Sequence, residues 1–431
     1  MSSPQTAFDQ HHPPDPALIN QCVHCGFCLQ TCPTYALWGE EMDSPRGRIY
    51  LMNLLSQGQI ELTPSVVSHF DACLGCMACM PACPSGVDYS KLIEATRAQI
   101  ERNFPRPASA RRMRRRVLRT FPNVSKLRAL RAPLWLYQRT GLRWLARKSG
   151  ALKLLPAGLQ MMEAVLPPLT PEARLPERIP AQGKQRMKVG MLLGCVQQVF
   201  FSDVNAATAR VLAAEGCEVF IPQPQGCCGA LMVHAGAEAE SLALARQTID
   251  LFERANVDAI AVNAAGCGSN MKDYGHLLRD DPQYAARAAA FSAKCRDVAE
   301  LLAQFEPQAA RHPLPLRVAY HDACHLQHAQ GVRTQPRAIL QSIPRLELLE
   351  IPESALCCGS AGIYNLVEPE AARALAQRKV GNIVSTGAEV VVAGNPGCLL
   401  QIRAELDRIG SKIKTMHTIE LLDASISGRQ L

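Results

Sequence analysis

The chain has 431 residues, 48% of them apolar and 19% charged, which is material for two or three buried cores and excludes a disordered chain. Its formal charge is +8 and it carries 18 cysteines, a density well short of a secreted disulfide scaffold, so clustered thiols read as metal ligands or redox groups. No window of eighteen apolar, uncharged residues exists, which excludes a membrane-spanning helix. The polar, proline-rich start MSSPQTAFDQHHPPDP shows no secretory signal, and a cytoplasmic address is the expectation.

Residues 1–105 are expected to fold around two copies of one motif. Cys22, Cys25, Cys28 and Cys32, followed by Pro33, spell C-x2-C-x2-C-x3-C-P, and Cys73, Cys76, Cys79 and Cys83, followed by Pro84, spell it again. Three thiolates at i, i+3 and i+6 on a tight loop each meet a different iron of one cubane, while the fourth, on a following helix, reaches the other cluster in two-cluster ferredoxins. The expected ligand sets are Cys22, Cys25, Cys28 and Cys83 for one 4Fe–4S cluster, and Cys73, Cys76, Cys79 and Cys32 for the other. Structural zinc takes two C-x2-C knuckles separated by a longer spacer, so the spacing favours iron and sulfide. Between the motifs, Arg46 and Arg48 of the PRGRI segment either donate to the anionic clusters and raise their potentials or stand exposed at a helix start. His24 is expected to pack over the first loop.

Residues 106–187 are a basic, proline-rich segment. Fourteen Lys and Arg and no acid lie between Arg106 and Lys148, so the rest of the molecule is net acidic. Leu130, Leu134, Trp135, Leu136, Leu142, Trp144 and Leu145 are interleaved with the later basic residues. This pattern suits an interfacial helix on anionic lipid, a docking surface for an acidic partner subunit, or a solvated linker. No recognised nucleic-acid module accompanies it. From Leu154 to Pro180 the prolines suggest a linker into a new domain.

From Lys188 one plan appears twice, over residues 188–310 and 311–431. An apolar run ends in Cys195, a second run leads to Cys227-Cys228-Gly229, and a third ends in Cys267. The second copy repeats this with Cys324, Cys357-Cys358-Gly359 and Cys398. Equivalent cysteines are 129 to 131 residues apart, which argues for duplication. Apolar strands alternating with helices predict parallel sheets covered on both faces, with each cysteine just past a strand end. The expected fold class is thus α+β/α/β: an N-terminal helical two-cluster ferredoxin-like domain followed by two α/β lobes related by an internal repeat. His321, Asp322 and His325 flank Cys324, where they either join a site or, as expected, take core or hydrogen-bonding roles, and Cys217 and Cys295 are expected to be ordinary buried residues.

The doublets resemble the cysteine-rich CCG domain of heterodisulfide-reductase-type and related oxidoreductase subunits. That family's fullest pattern ends in C-x2-C, whereas the last position here is Asn270 in one copy and Gln401 in the other. Four cysteines per half remain, as ligands of an additional iron–sulfur centre, as a redox-active thiol site or as a degenerate structural site. Over nearly its whole length the chain resembles the iron–sulfur subunits of bacterial glycolate oxidase, through CVHCGFCLQTCPTY, DSPRGRIYLM, GCCGA, AAGCGSN, LQHAQ and LCCGSAGIY. The arrangement is also similar to subunits of anaerobic glycerol-3-phosphate dehydrogenase and some D-lactate dehydrogenases.

The resemblance implies the electron-transfer subunit of a glycolate dehydrogenase, peripheral on the cytoplasmic face of the inner membrane. A partner FAD subunit would oxidise glycolate to glyoxylate, and quinone or another membrane acceptor would take the electrons. No G-x-G-x-x-G follows a strand, so no flavin or nicotinamide fingerprint lies in this chain, and no catalytic residue is assigned to it. Two other readings are CCG lobes that themselves reduce quinone or a disulfide-like substrate, and a stand-alone ferredoxin-like carrier.

Overall fold

The computed structural model describes residues 6–431. The first part is helical, with short helices Pro16–Asn20 and Pro33–Trp38 and longer ones at Pro45–Ser56, Pro64–Asp71 and Tyr89–Asn103. The first four begin on proline, where the missing N–H would lack a helical partner anyway and φ is already set. Asp15, Ser44 and Thr63 cap three of them through side-chain oxygens. Leu55, Phe70, Leu92 and Ile93 form the centre of this domain's core, and the cysteine motifs lie in the turns around it.

The PRGRI segment acquires a local explanation. Pro45 opens the helix Pro45–Ser56, and the Ser44 hydroxyl accepts from the Gly47 amide at 3.0 Å. A β-carbon on Gly47 would stand 2.0 Å from the Glu41 carbonyl oxygen, so only glycine lets the 3-10 turn Glu41–Asp43 pack across the helix.

The basic segment folds into helices Ala108–Thr120, Val124–Arg139, Leu142–Lys148 and Ala157–Ala164. The last lies inside the proline-rich stretch read as a linker; it packs on the helix Tyr364–Val367 of the second lobe.

The remainder is two sheets. The first joins β1 (Arg178–Ile179), β2 (Met187–Met191), β3 (Cys217–Phe220), β4 (Ala259–Val262) and β5 (Cys295–Asp297) in the order β1-β3-β2-β4-β5. All its pairings are parallel except β1 with β3. The second joins β6 (Arg317–Tyr320), β7 (Glu347–Glu350), β8 (Val390–Ala393) and β9 (Lys414–His417) in the order β7-β6-β8-β9, all parallel. Apart from the added antiparallel edge strand β1, the two orders coincide, so the repeat in the sequence is a repeat in space. β4 and β8 are buried throughout, as central strands covered on both faces must be.

The lobes share one core. Helix Ser202–Ala214 of the first packs against helix Thr418–Ser427 of the second, and Leu212 and Val219 join Val318, Val392 and Leu421 in a single cluster. Arg210 closes the seam with two 2.8 Å bonds to Asp423. In each lobe the first strand, β2 or β6, lies between the second and third, which opens a crevice at the strands' C-terminal ends. Among the described residues no helix is long and apolar enough to cross a membrane.

Candidate metal centres

Cys22, Cys25, Cys28 and Cys83 line one small cavity, bordered by Arg46 and Cys79. Cys25 is exposed, while Cys22, Cys28 and Cys83 are half-buried. The four residues of the other expected set, Cys32, Cys73, Cys76 and Cys79, are all buried. Cys32 precedes the helix Pro33–Trp38, whereas Cys83 sits in turns ahead of the helix Tyr89–Asn103.

The electrostatics differ within the buried set. Burial pushes the Cys79 thiol far up, and the neighbouring Cys76, Cys73 and Cys32 add to it. At Cys73 burial also disfavours the thiolate, yet Arg48 and Arg97, the Gly75 amide and the Tyr89 hydroxyl bring its thiol below the ordinary range.

Arg48 is 1% exposed. It donates to the His69 carbonyl at 2.6 Å, to Thr34 Oγ1 at 3.2 Å and to Asp43 Oδ1 at 3.3 Å. That carboxylate is shared with His69 at 3.0 Å, and a buried guanidinium facing thiols is suited to an anionic centre. Arg46 instead is held by Glu41 at 2.6 and 3.0 Å and braces the first loop through the His24 carbonyl at 3.1 Å. His24 is exposed, its ring edge-on to Tyr50 at 6.2 Å. These donors suit two anionic iron–sulfur clusters: thiols gathered in two sets, with a buried cation against the inner one.

In the lobes the cysteines follow strand ends. Cys195 opens the helix after β2, the doublet Cys227-Cys228 follows β3, and Cys267 sits in the helix after β4; the second lobe repeats this around β6, β7 and β8. The glycine of each doublet takes a left-handed conformation, φ +87° at Gly229 and +86° at Gly359, and a β-carbon at Gly359 would meet the Ala372 carbonyl oxygen at 2.5 Å. All eight cysteines line one cavity of about 290 Å³ between the lobes. Leu231, Ile363 and Leu366 give it apolar walls, and Phe121, Met162 and Val165 of the basic segment complete them.

The thiols influence one another in sequence: Cys195 and Cys228 hold the Cys227 thiol well below its ordinary value, and Cys227 and Cys267 together with burial push the Cys228 thiol well up. In the second lobe Cys324, Cys357, Cys358 and Cys398 influence one another in the same order. The two positions lacking the family's last cysteine are occupied by satisfied amides. Asn270 donates to the Cys228 carbonyl at 2.7 Å, and Gln401 accepts from Asn365 at 3.1 Å.

The first domain touches the second lobe through its thiols: Cys76 shares a buried cluster with Cys324 and Cys357. Asp322 has the hydrogen-bonding role expected, accepting two bonds from Arg337 at 2.7 and 2.8 Å. His325 lies 3.6 Å from the Cys324 sulfur and edge-on to His234 at 4.9 Å. His234 lines the cavity but belongs to no motif, and nothing in its sequence setting marks it. His321 is buried beside Cys358 and Cys398. Cys217 and Cys295 are fully buried among apolar side chains.

Part of the basic segment is consumed internally. Arg106 pairs with Asp71 at 2.6 and 2.9 Å, and Arg143 and Arg147 both reach Glu163 at 3.0 Å. Its outer face keeps Trp135, Leu136, Leu142, Trp144 and Leu145 exposed among the remaining cations.

Comparison with known proteins gives this arrangement its relatives. A 4Fe-4S dicluster domain matches residues 18–87, the linker region of the glycolate oxidase iron-sulfur subunit matches 109–166, and a cysteine-rich domain, CCG, matches 189–272 and 318–403. The chain is 40% identical over 414 residues to the probable glycolate oxidase iron-sulfur subunit of Bacillus subtilis (strain 168), covering 94% of this chain and 93% of that one. The chain belongs to the glycolate oxidase iron–sulfur subunit family. The glycolate oxidase iron-sulfur subunit of Escherichia coli (strain K12) is 35% identical over 413 residues, 95% of either chain. Lactate utilization protein A of Exiguobacterium sp. (strain ATCC BAA-1283 / AT1b) is 30% identical over 239 residues, 55% of this chain and 98% of its own. Family membership and the helical dicluster domain followed by two CCG repeats agree with the expectation from the sequence.

Proposed function

We propose that this protein is the electron-transfer subunit of a multi-subunit glycolate oxidase, taking electrons from a partner FAD subunit that oxidises glycolate and delivering them to quinone at the membrane. The observation that carries the reading is the placement of the thiols in a row of neighbouring groups. The row begins at the exposed Cys25 loop, passes the buried set at Cys73, Cys76, Cys79 and Cys32, and continues from Cys76 to Cys324 and Cys357. It ends in the cavity lined by all eight lobe cysteines. When bound, iron–sulfur clusters supply one-electron steps, which lets a two-electron flavin oxidation discharge in two stages.

In this reading Cys22, Cys25, Cys28 and Cys83 hold one 4Fe–4S cluster and Cys73, Cys76, Cys79 and Cys32 the other. Cys195, Cys227, Cys228, Cys267, Cys324, Cys357, Cys358 and Cys398 hold further iron–sulfur centres in the lobes. Arg48 balances charge at the inner cluster, and Arg46 fixes the outer loop. The apolar walls around Leu231, Ile363 and Leu366 suit a hydrophobic acceptor. Trp135 and Trp144 among cations suit peripheral attachment to anionic lipid on the cytoplasmic face.

The test is iron, acid-labile sulfide and zinc on anaerobically purified complex, with electron paramagnetic resonance after adding glycolate. Glycolate-dependent reduction of interacting cubane signals, with at least about eight irons per chain, is expected. Zinc with little iron, or cubanes that only dithionite reduces, would refute the reading. Cys228→Ser and Cys358→Ser are each expected to abolish quinone reduction while the cubane signals persist.

A further inference from the structure

The two lobes repeat each other closely enough that their differences carry information. The residue after the first strand of each lobe donates its amide to the middle of the third strand, Leu192 to the Ala261 carbonyl at 3.0 Å and His321 to the Val392 carbonyl at 2.8 Å. The two positions are therefore structurally equivalent, and both side chains are buried, Leu192 at 2% and His321 at 1% exposure. Leucine fits its place, in an apolar cluster that includes Cys228. Histidine does not: among the described residues neither of its ring nitrogens has a hydrogen-bond partner.

A buried imidazole with two unmet nitrogens carries a desolvation cost that something bound there must offset. The direction it faces is defined, because one of its nitrogens and the sulfurs of Cys358 and Cys398 all lie within 4.8 Å of one another. Asn395 also donates to the Cys398 sulfur at 3.2 Å, which orients that thiol. The position where the fuller family pattern has another cysteine holds Gln401, whose amide is engaged with Asn365 and Ala372. The second lobe's four thiols therefore have His321 beside Cys358 and Cys398 in addition to His325 beside Cys324, whereas the first lobe has leucine at the position equivalent to His321. Neutral imidazole and thiolate are compatible ligands for iron, and replacing thiolate by imidazole makes a cluster less electron-rich.

We propose that His321 is a ligand, through an imidazole nitrogen, of an iron–sulfur centre held by Cys324, Cys357, Cys358 and Cys398, so that the two lobes carry chemically different centres. This rests on the reading that the second lobe's thiols hold iron, and not on the identity of the substrate. The unlike lobes give the thiol succession a direction, since the centre nearest the ferredoxin domain differs in ligand set from the one beyond it.

The experiment uses the anaerobic complex grown with 15N-histidine, compared with unlabelled protein, and reads nitrogen couplings by electron spin-echo and electron–nuclear double resonance. The expected result is a strongly coupled, isotope-shifted nitrogen on a lobe centre. That coupling is lost in His321→Leu and in His321→Cys while both cubane signals remain, and His321→Cys keeps the iron. A lobe centre without strongly coupled histidine nitrogen in the wild type would overturn the proposal and leave the electron-transfer reading intact. Iron confined to about eight per chain, with no lobe signal, would also overturn it, whereas failure of glycolate to reduce the cubanes would strike only the proposed function. The wild-type comparison needs no variant to fold.

Discussion

Arg48 illustrates how one residue ties packing to redox chemistry. Its guanidinium is almost wholly buried, with one shared carboxylate and the Cys73 and Cys32 sulfurs for company. Arg48→Met should destabilise the apoprotein and holoprotein alike, by about 3–5 kcal/mol, because it leaves Asp43 without its buried cation; a shift of the anaerobic urea midpoint measures it. The same change should lower the reduction potential of the inner cluster, read by potentiometric titration, and an unchanged potential would separate Arg48 from that cluster. Gly47→Ala is a sharper packing test. With backbone 2.0 Å from the new carbon, the Glu41–Asp43 turn must move, and cluster content should fall even though no ligand is touched. Sequence spacing made the eight ferredoxin-motif cysteines legible, and it left Arg48 open between donor and exposed base. Only the fold decides that, because burial of a cation depends on what packs over it. His321 was legible as a neighbour of Cys324 but not as a side chain stranded without partners.

At the scale of elements, each lobe finishes its sheet with the same device. β5 runs into Asp297, and β9 into His417; each caps the following helix in a capping box, with Glu300 and Glu420 reaching back. These fourth strands were not legible, since CRD and KTMH are short and polar and show no apolar period. The three apolar runs before them were, because a buried parallel strand has to be apolar on both faces. His417 has a further duty. Its Nδ1 accepts from the Ile419 amide at 3.2 Å and its Nε2 donates to the Asn263 carbonyl of the first lobe at 2.9 Å. Both nitrogens are thus spoken for in the neutral form, and burial holds the group down to about 4. With the folded value below the unfolded one, this contribution is complete above about pH 6.5 and is lost as pH falls toward 4, up to on the order of 3 kcal/mol. His417→Asn keeps a capping side chain and should flatten the decline in urea midpoint between about pH 6.5 and pH 5; an unchanged slope would show that other groups control it.

On the scale of the whole molecule, the basic segment is a folded layer rather than a tether. Its helices contribute Phe121, Met162 and Val165 to the cavity wall while their outer faces show tryptophan, leucine and cations. Composition revealed the charge and the interleaved apolar residues, but not that the same helices wall the thiol cavity, since that depends on packing between segments far apart in sequence. Binding to vesicles containing anionic lipid should weaken steeply as salt rises, and Trp135→Ala with Trp144→Ala should reduce it about tenfold or more, measured by co-sedimentation. Unaltered binding would point to a protein partner for this face. The uneven burial of the eight ferredoxin-motif cysteines has its own outcome in air. Cys25 lies open to solvent, while Cys32, Cys73, Cys76 and Cys79 are sealed beneath helices and the second lobe. Dioxygen should therefore strip the outer loop first, and a preparation handled on the open bench would hold a half-bleached protein, dark at its heart and already colourless at its rim.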